Sequence, residues 1–140
     1  MKAASPLMSV DQLNAVLAQS AFLAPYGFSV RSCEEGLCTL IVPFSTSLER
    51  PGGIVSGMTI MGAADVAMWL AIMAVRGAQE QWVTTDMKTA FLRSARQEDV
   101  LCVARILKLG KRTAYGTAEC TNVEGQLLAH HTISYARVGE

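Results

Sequence analysis

The sequence predicts an α+β domain in which a curled antiparallel β-sheet wraps one long central α-helix. Three observations predict it. Residues 57–75 are apolar on almost every side, the mark of a helix at the centre of a fold rather than on its surface. The segments before and after that run alternate with period two, as half-buried strands do. A helix that is apolar all round needs cover on most of its sides, and strands on both sides of it in sequence can supply that cover as one sheet.

The elements follow in order. Ser9-Val10-Asp11-Gln12 fits a capping box, and Leu13, Val16 and Leu17 continue at helical spacing, so a short N-terminal helix is expected near 9–20. Pro25 and Gly27 break the chain. Two strands are expected near 27–34 and 37–44, joined at Glu35-Gly36, with Pro43 marking a strand end or edge. Ser45 to Gly53 reads as a loop that closes with Arg50-Pro51-Gly52-Gly53. Ser56 can cap the long helix of about 56–76, and Gly77 can end it. Four strands follow near 81–93, 98–109, 112–122 and 127–138, with turns at Gly110 and Glu124-Gly125. In the third of these, Ala114, Gly116, Ala118 and Cys120 share one face, and small side chains there let the helix lie close to the sheet. The expectation is one domain over 1–140, with 1–25 as a helical segment packed on it.

Composition narrows the function. The 140 residues are 51% hydrophobic and 17% charged, with a formal net charge of zero. No basic excess points to nucleic acid or to an anionic membrane surface. So little charge on so apolar a chain suggests apolar surface hidden between subunits. Cys33, Cys38, Cys102 and Cys120 form no C-x-x-C pair and have no histidine at zinc-ligand spacing, so reduced, mostly buried thiols are expected, with no metal and no cofactor. The apolar run is long enough to consider as a membrane span, but Asp65 sits in its middle, where a carboxylate costs roughly 2.5–3.5 kcal/mol. The first residues carry no apolar signal-peptide core, so a cytoplasmic protein is expected.

Two features carry chemistry. An ionised Asp65 inside an apolar helix is expensive unless paired. It serves either as a functional acid or as a structural one, facing a subunit interface or capping a neighbouring loop. Gly52-Gly53-Ile54-Val55-Ser56-Gly57 leads directly into the helix, whose first free N–H groups form a ready site for a carbonyl or oxyanion. Gly57 and Asp65 are eight residues apart, about two turns, at an angle that should let one ligand reach both.

The stretch RPGGIVSGMTIMGAADVAMW resembles the helix entry of hotdog-fold thioesterases, in the branch of the phenylacetate-pathway enzymes. Arg50 to Gly57 fits the variant pattern Arg-Pro-Gly-Gly-x-Val-Ser-Gly. Thr85 to Ala95 resembles the family's later strand motif, and Lys108 to Arg112 its turn. The resemblance covers about 45–138. It implies an acyl-CoA thioesterase in which Asp65 is nucleophile or general base and the Gly57 amide polarises the thioester carbonyl. It also implies a homodimer with active sites shared between subunits, assembled further as a dimer of dimers. Two departures stand out. Ser56 occupies the place of a family histidine, and its hydroxyl would replace that group. Trp69 stands one turn past the acid, where some relatives place Ser or Thr.

The same resemblance makes Gly53, Val55, Met58 and Trp69 expected substrate contacts, together with Thr84, Thr85, Arg93 and Arg112. Arg93 and Arg112 match motif positions and suit CoA phosphates. His130 and His131 are adjacent on a strand, face opposite sides, and are expected to be structural. Two other functions remain open: a non-catalytic acyl-CoA-binding dimer, and an enoyl-CoA hydratase, which would need a histidine near the helix entry.

Overall fold

A computed structural model describes residues 6–139. Helix α1 (Val10–Gln19) opens with the full capping box: Gln12 N–H donates to the Ser9 hydroxyl, and Ser9 N–H donates to the Gln12 side chain. Strands β1 (Ser29–Glu34) and β2 (Leu37–Val42) follow, then β3 (Glu49–Arg50) and β4 (Ile54–Val55). After these come α2 (Gly57–Arg76), β5 (Gln81–Phe91), β6 (Val100–Leu109), β7 (Thr113–Thr121) and β8 (Leu127–Val138). Six strands form one antiparallel sheet in the order β1-β2-β6-β7-β8-β5, so β1 and β5 are its edges. The sheet curls around α2, which touches every one of these six strands. The α+β architecture expected from the sequence is therefore the observed one. The expectation of a single domain over 1–140 extends to residues 1–5 and 140, which lie outside the described residues.

The core sits between α2 and the concave face of the sheet. Ala63, Ala64, Ala67, Leu70, Ala71, Ile72 and Ala74 are fully buried in α2, against Ala104, Cys102, Ala118 and Cys120 of the sheet. The close approach has one tight point. A Cβ on Gly116 would stand 2.3 Å from the Arg105 carbonyl oxygen and 2.6 Å from Met68 Cε. Length and composition alone would let α2 cross a membrane, yet 67% of its apolar window is buried inside this fold.

Boundaries differ from the sequence expectation by a few residues, and the short strands β3 and β4 and the 3-10 turns at Ala21–Leu23 and Thr46–Leu48 were not expected. The loop 45–53 contains half of a two-residue hairpin, in which Glu49 pairs with Val55 and Arg50 with Ile54. Gly52 and Gly53 turn its tip with φ of +103° and +71°, a conformation that disfavours a side chain. Val55 N–H donates to the Ala95 carbonyl and Ser56 N–H to the Leu48 carbonyl, so this hairpin fixes the entry of α2 against the segment after β5. Pro43 lies just past β2, an interior strand, and so acts as a terminator and not as an edge marker.

A bulge in β5 sets which of its side chains meet α2. Thr84 pairs with Tyr135 and Asp86 with Ser134, leaving Thr85 as the extra residue. Before the bulge, Trp82 and Thr84 face inward; after it, Met87 and Thr89 do, so the alternation changes parity at Thr85.

Candidate active site

Asp65 lies on the one stripe of α2 that the sheet leaves uncovered. Met58, Met61, Gly62, Asp65 and Trp69 recur at three- and four-residue spacing along it, and none of them is fully buried. The carboxylate is half-buried and paired. Asp65 Oδ1 accepts from the Thr84 hydroxyl at 2.6 Å and from the Tyr135 hydroxyl at 2.6 Å. The Tyr135 hydroxyl also lies 2.8 Å from the Asp65 backbone carbonyl. Thr84 and Tyr135 are directly opposed on β5 and β8, so both donors come from one cross-strand pair beneath the acid. Burial pushes the Tyr135 phenol well above its ordinary value, and the Asp65 charge and hydrogen bond push it further, so Tyr135 stays a proton donor to the carboxylate. Among the described residues Asp65 Oδ2 takes no hydrogen bond.

The acid opens on a hollow of about 560 Å³ that Trp69, Met73, Phe22, Trp82 and Thr84 help to line. Its walls are apolar and aromatic, with Gln79, Glu80 and Gln81 at the rim. At that rim Glu80 joins Arg76 and Arg137 in ion pairs and accepts from the Trp82 ring N–H at 3.0 Å.

Gly57 opens on a second hollow of about 480 Å³, with Arg50, Val55, Ile60, Phe91 and Arg93. Ser56 caps α2: its hydroxyl accepts from Met58 N–H at 3.1 Å, and its carbonyl accepts from Thr59 and Ile60. The Gly57 N–H takes no acceptor among the described residues and remains a free donor. A Cβ there would stand 3.2 Å from the Phe91 ring, so glycine keeps the approach to this donor open. Eight residues of α-helix rise about 12 Å, so within one chain Gly57 and Asp65 serve separate hollows. The expectation that one ligand reaches both within a single chain is not met by this geometry.

The other expected contacts divide. Thr84 and Trp69 share the hollow of Asp65, and Val55 and Arg93 share that of Gly57. Met58 is 78% exposed on the open stripe. Gly53 shapes the hairpin tip and lines neither hollow. Thr85, the bulge residue, opens on the outer face of the sheet with Lys108, Tyr115 and Ser134. Arg112 donates to the Gly139 carbonyl at 2.8 Å and reaches neither hollow. The bulge explains the split between Thr84 and Thr85, which sequence alone could not rank.

Tyr135 was not among the expected site residues, because a tyrosine in an alternating strand is an ordinary core residue. His131 is fully buried, 2.7 Å from the Thr89 hydroxyl and 3.5 Å from Cys120 Sγ. The Cys102 thiol and then His131 draw the Cys120 thiol down to about 6 against the effect of burial, but neither Cys120 nor His131 reaches either hollow. Among the described residues, no group of three or more His, Cys, Asp or Glu side chains is placed to hold a metal ion.

A long helix wrapped by a curled antiparallel sheet, with an acid on its open stripe and a free amide at its start, defines a hotdog-fold hydrolase-type domain. Residues 52–129 match the model of the thioesterase superfamily, and the chain belongs to that family. A Thermoplasma acidophilum protein provisionally named an esterase is 28% identical over 125 residues, covering 89% of this chain and 94% of that one. A solved structure from a Silicibacter species, provisionally described as a thioesterase, is 27% identical with a TM-score of 0.88, covering 99% of this chain and 97% of that one. The Escherichia coli PaaI protein of the phenylacetic acid degradation operon has a TM-score of 0.80 at 18% identity, over 94% of this chain and 97% of its own. At that identity the likeness to PaaI is one of fold. Family and relatives together make the chain a hydrolase of thioesters or esters.

Proposed function

We propose that the chain hydrolyses an acyl-CoA thioester to the free acid and CoA, as a homodimer whose active sites are shared between two copies. One observation carries this: Asp65 has one oxygen held by two hydroxyls while the other takes no bond and the residue opens on an apolar hollow. A carboxylate so fixed can attack the thioester carbon or accept a proton from the attacking water. The Gly57 N–H, at the positive end of α2, polarises the carbonyl oxygen. The aromatic wall takes the acyl group, and Arg93, beside Gly57, takes CoA phosphate. Arg112, bonded to the Gly139 carbonyl, and Ser56, whose hydroxyl caps the helix, stand outside this set of contacts.

Distance supports the shared site. A reacting carbonyl must sit about 3 Å from both acid and amide donor, yet these are about 12 Å apart in one chain. A two-fold copy with its helix antiparallel brings Gly57 of one chain beside Asp65 of the partner subunit. The exposed Met58, Met61, Phe91 and Leu92, and the free edge of the eleven-residue β5, support such a contact. Four free cysteines and the burial of the one long apolar helix fit a cytoplasmic enzyme.

Complementation tests this. Gly57→Val and Asp65→Ala should each be inactive in a thiol-release assay over a panel of acyl-CoAs. Refolded together, half the dimers are mixed and hold one intact site each, so about a quarter of the activity should return. Near-normal turnover by Asp65→Ala would sink the mechanism; no recovery on mixing would sink the shared site.

A further inference from the structure

The four cysteines form two cross-strand couples. Cys33 of β1 is directly opposite Cys38 of β2, and Cys102 of β6 is directly opposite Cys120 of β7. Directly opposed residues on antiparallel strands send their side chains to one face, with Cα atoms about 4.5–5.5 Å apart. A disulfide spans Cα separations of about 4.4–6.8 Å, so the backbone spacing of directly opposed strand residues is compatible with a bridge in both couples. In both, each thiol shifts the other's acidity: Cys33 and Cys120 are drawn down, and Cys38 and Cys102 are held up.

The couples differ in access. Cys102 and Cys120 are both fully buried beneath α2, with the Ile60 carbonyl and His131 against the Cys120 sulfur. Cys38 is also buried, but Cys33 is partly exposed on the edge strand, next to the tight turn at Gly36. A small reagent can therefore meet a sulfur of the first couple and not of the second.

We propose that Cys33 and Cys38 are a thiol-oxidation site, forming a reversible cross-strand disulfide with a low-molecular-weight disulfide such as glutathione disulfide as oxidant. The Cys33 thiolate attacks one sulfur of the reagent, breaks its S–S bond and releases one thiolate. The Cys38 sulfur, giving up its proton to solvent, then attacks the Cys33 sulfur and releases the second. Two protein thiols are oxidised, and the reagent is reduced to two thiols that take up the two protons.

The order of attack follows from the local chemistry. The adjacent Cys38 thiol draws the Cys33 thiol below its ordinary value, against burial and the nearby Glu34 charge, and is itself held high. Cys33 thus carries the thiolate character that exchange requires, and Cys38 resolves the adduct. The bridge closes only the short hairpin loop, which the strands already close, so it gains little chain entropy and stays easy to reduce.

The test is peptide mass spectrometry of the folded full chain after incubation with glutathione disulfide and quenching with an alkylating reagent. Loss of two hydrogens in the peptide spanning Cys33 and Cys38, reversed by dithiothreitol, with Cys102 and Cys120 still free thiols, is the expected result. Cys38→Ser should instead accumulate a glutathione adduct on Cys33, and Cys102→Ser should form the bridge as the unaltered chain does. A persistent adduct on Cys33 in the unaltered chain, a link between two chains through Cys33, equal oxidation of Cys102 and Cys120, or no reaction would each overturn the proposal.

Discussion

The Tyr135 hydroxyl lies 2.6 Å from Oδ1 of Asp65 and 2.8 Å from the carbonyl oxygen of the same residue, although 70 positions separate the two in sequence. One buried phenol thus holds both the side chain and the backbone of the acid. Removing it tests positioning without removing the acid. A hydrogen bond to a charged group contributes about 1.5–3 kcal/mol, so Tyr135→Phe should lower kcat by about tenfold to a hundredfold with a smaller change in KM. A variant that lost activity only in proportion to its loss of folded protein would show Tyr135 to be a packing residue only.

Trp69 sits one turn beyond Asp65 and lines the same hollow with Phe22 and Met73. In the proposed reaction, a side chain of that size next to the acid sets how far the acyl group extends along α2. Trp69→Ala should raise kcat/KM for longer acyl chains relative to shorter ones. Each extra methylene that the enlarged hollow accommodates is worth about 1–3 kcal/mol of discrimination. A substrate panel in which all chain lengths fell by one common factor would place the acyl group elsewhere.

The contrast between Asp65 and Tyr135 shows what was legible in the sequence. The capping box at Ser9 and Gln12, the positive-φ glycines Gly36 and Gly125, and the apolar girth of α2 are local, and their residues announce them. Asp65 was conspicuous because a carboxylate is costly in such a run. Tyr135 became part of the site only through the closure of β8 onto β5, a long-range pairing that leaves no local mark. The Thr85 bulge was equally silent: no glycine or proline signals it, yet it decides that Thr84 and not Thr85 meets the acid. The spacing of Gly57 and Asp65 was legible, but the hollows on which each opens depend on how the sheet and the 49–55 hairpin wrap the helix.

Glu80 offers a pH test away from the reacting groups. Partial burial pushes its carboxyl up, but the Trp82 ring N–H and the Arg76 and Arg137 guanidinium groups outweigh it and hold the carboxyl below its ordinary value of 4.5. A depressed folded-state value means that the stabilisation is fully present above 4.5 and is lost as pH falls through the lower, folded value. Glu80→Gln should therefore lower Tm at neutral pH, and the gap from the unaltered chain should narrow as the pH is taken below 4.5. A gap that stayed constant into acid would mean that the carboxylate charge contributes nothing at this rim.

Gly116 tests the contact between helix and sheet. It pairs with Ile106 and faces Met68 of α2, and its Cβ position is already occupied on two sides. Met68 Cε, at 2.6 Å, is the end of a flexible side chain and can move. The Arg105 carbonyl oxygen, at 2.3 Å, is backbone in a paired strand and can move only by distorting the β6–β7 ladder. Gly116→Ala should therefore destabilise the fold by at least the 1–3 kcal/mol typical of overpacking, a loss of several degrees in Tm. Because the backbone contact dominates, shortening the helix side chain should not rescue it. The double variant Gly116→Ala, Met68→Ala should be less stable than either single one, since it also leaves a cavity under α2. Recovery of Tm in the double variant would show instead that side-chain crowding at Met68, rather than the strand backbone, requires glycine at this position.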